Sequence, residues 1–428
     1  MKFIFADSMD HVDPRFNFLT DQYGANREAY WDDVFPHELL TKAPYDGVLL
    51  SRAMIGEPNF PGKMNESLSM RFRRVGARAH LRLTAKEQLE MPIFGDNGAF
   101  SYCDMPEPPY TAADTVEFYG QGQFTHGCAV DHIIFEFDKS VSGLNGGNAV
   151  SKKRFEITLN LASEFFEESK KLDNTFTPIG VIQGWSPDSL AHAARALVKI
   201  GYRYLAIGGM VPLTATDTHI AVTAVTDAIK QWPGIKVHLL GFAKADNLHE
   251  FVKYKQVASF DTTSPLLKAF KDSVKNYYLP NDDGSIDYYT AIRIPQAISN
   301  NKLKTHAKTG LYKQEHLLEM ESAALSSLRM YAVGQETLEN TLNAVMEYTK
   351  PLHNTPTADE SKLLKQLSKL EEKYIKTLQR RPWEDCNCDV CNAIGVEGII
   401  FRGSNRNKRR GIHNLNVYHN HLNRILIK

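Results

Sequence analysis

The chain has 428 residues, 43% hydrophobic and 23% charged, which is ordinary for a soluble globular protein and enough for one large domain with appendages or for two domains. Lys plus Arg and Asp plus Glu each number 50, so the formal net charge is zero; bulk charge announces no nucleic-acid partner, and any such footprint must be local. No apolar run approaches the roughly 18 residues that a spanning helix requires, and the N-terminal MKFIFADSMDHVD meets Asp7 and Asp10 too early for a secretory signal, so a cytoplasmic protein is expected.

In chain order, eight short apolar runs alternate with helix-like segments: KFIFAD from Lys2, DGVLLS from Asp46, MPIFGD from Met91, HIIFEFD from His132, PIGVIQG from Pro178, YLAIGG from Tyr204, KVHLLGF from Lys236 and VASFD from Val257. Several are apolar almost throughout, as strands buried on both faces must be. The connections carry helix signals. In SPDSLAHAARALVKIG, Ser186 is placed to cap, Pro187 sits at the first helical position and Gly201 lies just past the end. KADNLHEFVKYK, after the seventh run, reads as another helix. The pattern predicts a (β/α)8 TIM barrel over residues 1–264, with an open doubly wound sheet as the alternative. Asp7, Asp96, Asp138, Gln183, Gly208, Gly209 and Asp261 all fall at or just past the C-terminal ends of these runs. Each alone also reads as a cap or turn residue; in a barrel those ends converge on one face, where the active site lies.

Residues 265–381 turn helical, with EHLLEMESAALSSLRMYAVG and ESKLLKQLSKLEEKYIKTLQRR spaced by threes and fours and KPLHNTPTADE between them, and read as a helical insertion. The tail, 382–428, holds Cys386, Cys388 and Cys391 of the chain's five cysteines in CNCDVC. Such crowding in a reducing compartment points to a metal rather than to disulfides. Three thiolates need one more ligand to complete a tetrahedron. His413, His419 and His421 are the candidates, His413 in GIHNLNVY the best placed, giving a closed, structural Cys3His zinc site, one Zn2+ per chain. The adjacent RGSNRNKRRG carries Arg402, Arg406, Lys408, Arg409 and Arg410, which read either as a solvated loop or as contacts to nucleic-acid phosphates.

Six motifs, in order, resemble the tRNA-guanine transglycosylase superfamily: GDNGAF at the third run, FEFD at the fourth, GVIQG and AIGGM at the fifth and sixth, HLLGFAKADNLHEFVKYKQVASFD from the seventh to the eighth, and CNCDVC…GIHNL in the tail. Departures exist. Asn97-Gly98-Ala99 replaces the family's Ser-Gly-Gly, the stretch after Asp261 lacks its Pro-Thr-Arg, the helical insertion precedes the zinc signature, and the gap from Cys391 to His413 is short. These fall where the tRNA enzymes position their RNA. VIQGWSP, AIGGMVPL and SFDTTSPLLKAF are most similar to the DpdA branch, which places 7-cyano-7-deazaguanine (preQ0) in DNA.

The resemblance implies a pentosyltransferase. Asp261 is the nucleophile that attacks C1′ and expels guanine, leaving a nucleotide covalently bound, and Asp96 is the general base that takes a proton from the incoming preQ0. It further implies that Asp138, Gln183 and the backbone at Gly208, Gly209 and Met210 read the base, with Asn97 in the pocket wall. Phe100 and Leu240 either sandwich the ring or are ordinary core residues. DNA and the free base are the expected partners, with a helper protein for duplex opening also expected to be considered. The alternatives are the same exchange on tRNA, a non-catalytic nucleic-acid-binding subunit on the same fold, and an unrelated barrel hydrolase with paired carboxylates.

Overall fold

The computed structural model describes residues 1–57, 60–242, 245–354 and 359–427, and the chain divides into two compact units, one of residues 1–9 and 45–264, the other of residues 10–44 and 265–428. The first unit is a closed barrel of eight parallel strands in sequential order: β1 (Lys2–Ala6), β2 (Gly47–Ser51), β3 (Ile93–Asp96), β4 (His126–Cys128), β5 (Thr177–Ile182), β6 (Tyr204–Ile207), β7 (Lys236–Leu239) and β8 (Val257–Asp261). β8 closes on β1 with Phe3 opposite Phe260. The interior is filled by Ile4, Leu49, Phe94, Cys128, Ile179, Val181, Tyr204 and Ala206, so it is a packed core and not a pore. Leu240 packs against the same cluster at the end of β7.

The connecting helices begin where short polar side chains satisfy first-turn N–H groups. Asn65, Thr111, Asn148, Ser186 and Thr214 each accept a hydrogen bond from a backbone N–H three residues on. Ser186, Pro187 and Gly201 bound their helix as the sequence predicts. The segment after β7 is the short 3-10 helix Ala245–Phe251 and not a full α-helix.

Seven of the eight predicted strands are present; the fourth is displaced. β4 is HGC, and HIIF runs on past its end as irregular backbone. Gly127 and the polar His126 make β4 nearly invisible to a search for apolar runs, whereas His132, Ile133 and Ile134 mimic a strand because they are buried. Their backbone groups are satisfied by side chains and not by a ladder. His132 N–H donates to Thr158 Oγ1 (3.0 Å), Ile134 N–H to Gln183 Oε1 (3.1 Å), and Arg154 donates to the Ile133 carbonyl (2.8 Å).

The second unit joins the excursion 10–44, which the sequence assigns to the barrel, to the C-terminal part of the chain. Val12 and Leu40 share a core with Val390, Ile394 and Ile412. The unit contains the hairpin β9 (Tyr277–Pro280) and β10 (Ile286–Tyr289), a parallel pair β11 (Ile292–Arg293) and β12 (Ile400–Phe401), the helices Gln314–Ala332, Leu338–His353 and Glu360–Arg380, and the long helix Ser404–Ile427. The segment predicted as purely helical therefore also carries a hairpin, and the sequence pattern missed Leu338–His353. Within KPLHNTPTADE, residues 355–358 lie outside the described residues.

Candidate active site and metal centre

Among the described residues, the strand ends of the barrel gather three carboxyl groups whose charges act on one another, Asp96, Asp131 and Asp261, while Asp7 is buried just past β1. Asp96 closes β3, in register with Ser51 of β2. Its Oδ2 accepts the Gly98 N–H (3.0 Å), and the Ser51 hydroxyl also serves it. The turn needs glycine at 98: φ is +77°, and a Cβ there would lie 2.5 Å from Ala53 Cβ and 2.6 Å from Ser51 Oγ. Burial, and after it the charge of Asp261, push the Asp96 carboxyl up to about 6. Asp261 ends β8. Its Oδ1 accepts the Gly241 N–H (2.9 Å) and bonds His238 Nε2 (3.0 Å).

His238 belongs to a buried relay. On β7 it stands opposite Ser259 of β8, its Nδ1 bonds Ser259 Oγ (2.6 Å), and Ser259 Oγ bonds the Tyr204 hydroxyl (2.6 Å). If Tyr204 donates to Ser259 and Ser259 to Nδ1, then Nε2–H points at Asp261, and the bonds run in one direction along the chain. The nucleophile candidate is thus held by an imidazole whose own orientation is set from behind.

The third carboxyl is Asp131, three residues past β4, which sequence reasoning missed. It is buried, its Oδ2 accepts from Gln183 Nε2 (2.7 Å), and burial together with the charge of Asp96 pushes it up to about 7. Gln183, at the end of β5, ties the wall together, since its Oε1 also accepts the Ile134 N–H. Gly208 and Gly209 follow β6 against this glutamine. At Gly209, φ is +70°, and a Cβ would lie 2.7 Å from the Ile134 carbonyl oxygen, so only glycine lets the two segments approach. Met210 beyond them is buried.

Several expected residues lie elsewhere. Asp138 is solvent-exposed, and its Oδ1 accepts from the backbone and hydroxyl of Ser140 (2.9 and 2.6 Å), so it closes a turn instead of lining a buried pocket. The misplaced fourth strand is the cause: Asp131, not Asp138, is the aspartate just past the true one. Asn97 is fully buried, its amide donating to the Cys128 carbonyl (3.0 Å) and accepting from Thr115 (3.3 Å), which makes it a strut. Phe100 is 54% exposed and forms a tilted pair with the 43% exposed Phe135, ring centroids 5.7 Å apart. Phe100 is therefore no core residue, and Phe135 went unnoticed because its run reads as a strand.

The basic cluster is corrected outright. Arg402, Arg406, Arg409 and Arg410 are buried. Arg402 pairs with Asp21 and Glu321, Arg406 with Asp21 and Glu397, Arg409 with Asn405 and the Asp13 carbonyl, and Arg410 with Asn407 and the carbonyls of Gly398, Ile400 and Ala269. Lys408 donates to the His11 carbonyl. Side chains so occupied are not free to reach phosphates. The run is basic because one helix knits the second unit's interior.

The metal ligands do assemble. Cys386, Cys388, Cys391 and His413 offer ligand atoms all within 4.8 Å of one another. The three sulfurs lie 3.7, 3.3 and 3.3 Å from His413 Nδ1. Zinc bond lengths place sulfur and nitrogen about 3.5 Å apart on a tetrahedron, so the set fits such an ion. His413 Nε2 faces the Tyr278 carbonyl (2.6 Å), which fixes the ring and leaves Nδ1 for the metal. Asn414 next to it accepts the Tyr278 N–H (3.0 Å), so GIHNL both supplies a ligand and clamps the hairpin. His421 is engaged with the Gly284 carbonyl.

The barrel, its three carboxyls and the Cys3His cluster can be set beside a known protein. The DNA-guanine transglycosylase of Salmonella montevideo is 36% identical over 424 residues, covering 99% of this chain and 96% of the relative. The chain belongs to the DNA-guanine transglycosylases. These stand within the tRNA-guanine transglycosylase superfamily. No family model matches the sequence. The match to this DNA-guanine transglycosylase spans both units, the barrel and the metal cluster alike. Among the described residues, no helix is long and apolar enough to cross a membrane.

Proposed function

We propose that this protein exchanges guanine in DNA for the free base preQ0, through a nucleotide bound covalently to Asp261. The observation that carries the reading is the pairing of Asp96 and Asp261 at the barrel's strand ends, close enough that the charge of one raises the proton affinity of the other. Among the described residues, the donors to the Asp261 side chain fall on Oδ1, which leaves Oδ2 to attack C1′. The C1′–O bond forms as the C1′–N9 bond breaks, and guanine departs with the electron pair and a proton from the acid form of Asp96. The incoming base then gives its N9 proton to the Asp96 carboxylate and attacks C1′. The C1′–O bond breaks, Asp261 is regenerated, and the two inversions give net retention. A group near pH 6 suits both proton transfers.

Asp131 takes the base-reading role first assigned to Asp138. With its proton held up to about 7, it can both donate to and accept from a purine edge, and Gln183 orients it. Phe100 offers an exposed ring face for stacking on the base. The target nucleotide must leave the helix stack, at a cost of a few kcal/mol in duplex DNA. The Cys3His cluster holds Zn2+ as a closed structural site, so the metal supplies folding energy and no chemistry.

The test is incorporation of labelled preQ0 by purified protein into duplex DNA, single-stranded DNA and unmodified tRNA in parallel. Label in DNA only is the expected result, and label in tRNA only refutes the polymer. Asp261→Asn should abolish the covalent protein–DNA adduct that wild type forms when the incoming base is withheld. An adduct persisting in that variant refutes the nucleophile.

A further inference from the structure

The helix Glu360–Arg380 carries Lys362, Lys365, Lys369, Lys373, Lys376 and Arg380 at successive spacings of three or four residues. At 3.6 residues per turn these fall within an arc of about 80°. Leu367, Tyr374, Thr377 and Leu378, on the opposite side, are buried. Five of the six cations are exposed and Lys373 is half-buried. Glu360 and Glu371 lie off the arc and Glu372 at its margin. The ends are partly neutralised, Lys362 by Asp359 (3.9 Å) and Arg380 by Asp385. Lys365, Lys369 and Lys373, in the middle, form no ion pair among the described residues.

The surroundings add positive charge. The Arg293 N–H is hydrogen-bonded to the Tyr374 hydroxyl of this helix (3.1 Å), and Gln366 of the helix is hydrogen-bonded to His353. Lys302 and Arg293 both act on His353, and burial and Arg293 together hold the Lys302 ammonium below its ordinary range. Along the exposed face, the middle lysines concentrate charge of one sign. In a chain of zero net charge, such a concentration costs stability in the free protein and is relieved by a polyanion.

We propose that this lysine stripe is a docking surface for the phosphate backbone of duplex DNA. The proposal rests on the DNA reading above and adds where the polymer is gripped. From Lys362 to Arg380 the stripe runs about 27 Å at 1.5 Å per residue, the length of about eight base pairs at 3.4 Å each. It presents one cation per helical turn, and lysines on flexible stems suit sequence-independent phosphate contacts. No base is read here; the surface supplies affinity and register.

The experiment measures duplex binding by fluorescence anisotropy from 50 to 200 mM salt, with full-length wild type and the variant K365Q/K369Q/K373Q. Each lost phosphate contact removes about 0.9 from the slope of log K against log salt. The triple variant should therefore lose about 2.7, with affinity at 0.1 M salt down on the order of 10²-fold and kcat at saturating DNA unchanged. The three single variants should each lose about 0.9, and K365R/K369R/K373R should keep the wild-type slope. An unchanged slope in the triple variant overturns the proposal. A loss confined to tRNA, or to anionic phospholipid vesicles, also overturns it and reassigns the surface. Wild type that shows the slope but exchanges no guanine in DNA refutes the functional reading and leaves the surface standing.

Discussion

Replacing Asp96 by Asn should abolish base exchange and at the same time stabilise the protein. The carboxyl is half-buried, and burial with the charge of Asp261 moves it from an ordinary 3.8 to about 6. Its folded-state proton affinity is therefore raised. At a pH below 3.8 the group is protonated folded and unfolded alike, and nothing is lost. Between about 4 and 6 the unfolded chain ionises first, and the folded state loses stability as pH rises. Above about 6 both states carry the charge, and only the folded one holds it in a low-dielectric wall beside a second carboxylate. A displacement of that size corresponds to about 3 kcal/mol at 1.36 kcal/mol per pH unit. Asn removes the charge and keeps an oxygen for the Gly98 N–H, so Asp96→Asn should gain up to about 3 kcal/mol at pH 8 and little at pH 4. Urea unfolding of both proteins across this range, each at a fixed zinc concentration, measures the difference. A variant no more stable than wild type at pH 8, or a gain that does not shrink on acidification, would falsify the claim that the carboxyl is held at a cost for function.

Asp131→Asn should lower kcat/KM for the incoming base by about 10- to 100-fold, the range of a hydrogen bond involving a charged group, whereas Asp138→Asn should leave it within about twofold; steady-state kinetics on both decides which aspartate reads the base. His238→Phe removes the donor to Asp261 and should cost a similar factor in kcat, while His238→Gln, whose amide can still donate, should recover part of it; equal losses would mean that His238 is only packing. Arg406→Ala takes one guanidinium from Asp21 and Glu397, which keep Arg402 and Arg329, and should destabilise by about 1.5–3 kcal/mol, with no change in the salt dependence of DNA binding; the reverse pattern would restore the phosphate role to this cluster. Chelation, or Cys388→Ser, should release one zinc per chain by elemental analysis and expose the hairpin Tyr277–Tyr289 to proteolysis.

What could be read from the sequence followed from burial. β3, β5, β6, β7 and β8 are apolar runs because both faces are covered, and at β3, β5 and β8 the polar residue at the end is the one aimed at the site: Asp96, Gln183 and Asp261. β4 failed the same reading because Gly127 and His126 hide a three-residue strand, and the error carried Asp131 with it. The Cys386, Cys388, Cys391 and His413 set was legible because thiolate spacing is dictated by a tetrahedron and not by tertiary context. Asn97 and the arginines from 402 to 410 were misread for one shared reason. A polar side chain in a motif advertises hydrogen bonds but not whom it bonds, and here the partners, Cys128, Asp13, Asp21 and Glu321, are distant in sequence.

The zero net charge conceals a division of labour between the two kinds of cation. Arg402, Arg406, Arg409 and Arg410 sit inside the second unit, where a planar fork satisfies several carbonyls and carboxylates at once. Lysine would be poorly suited there, because a single ammonium cannot span Asp21 and Glu397 together. The helix Glu360–Arg380 does the opposite, placing lysines at five of six stripe positions and keeping four of them in solvent and Lys373 half-buried. A hydrated ammonium on a flexible stem holds a phosphate without imposing direction, as a polymer gripped at any sequence requires. Sequence composition weighs both sets equally. Burial separates them: the arginines of the tail are occupied inside the unit, and it is the lysines of the helix Glu360–Arg380 that face solvent.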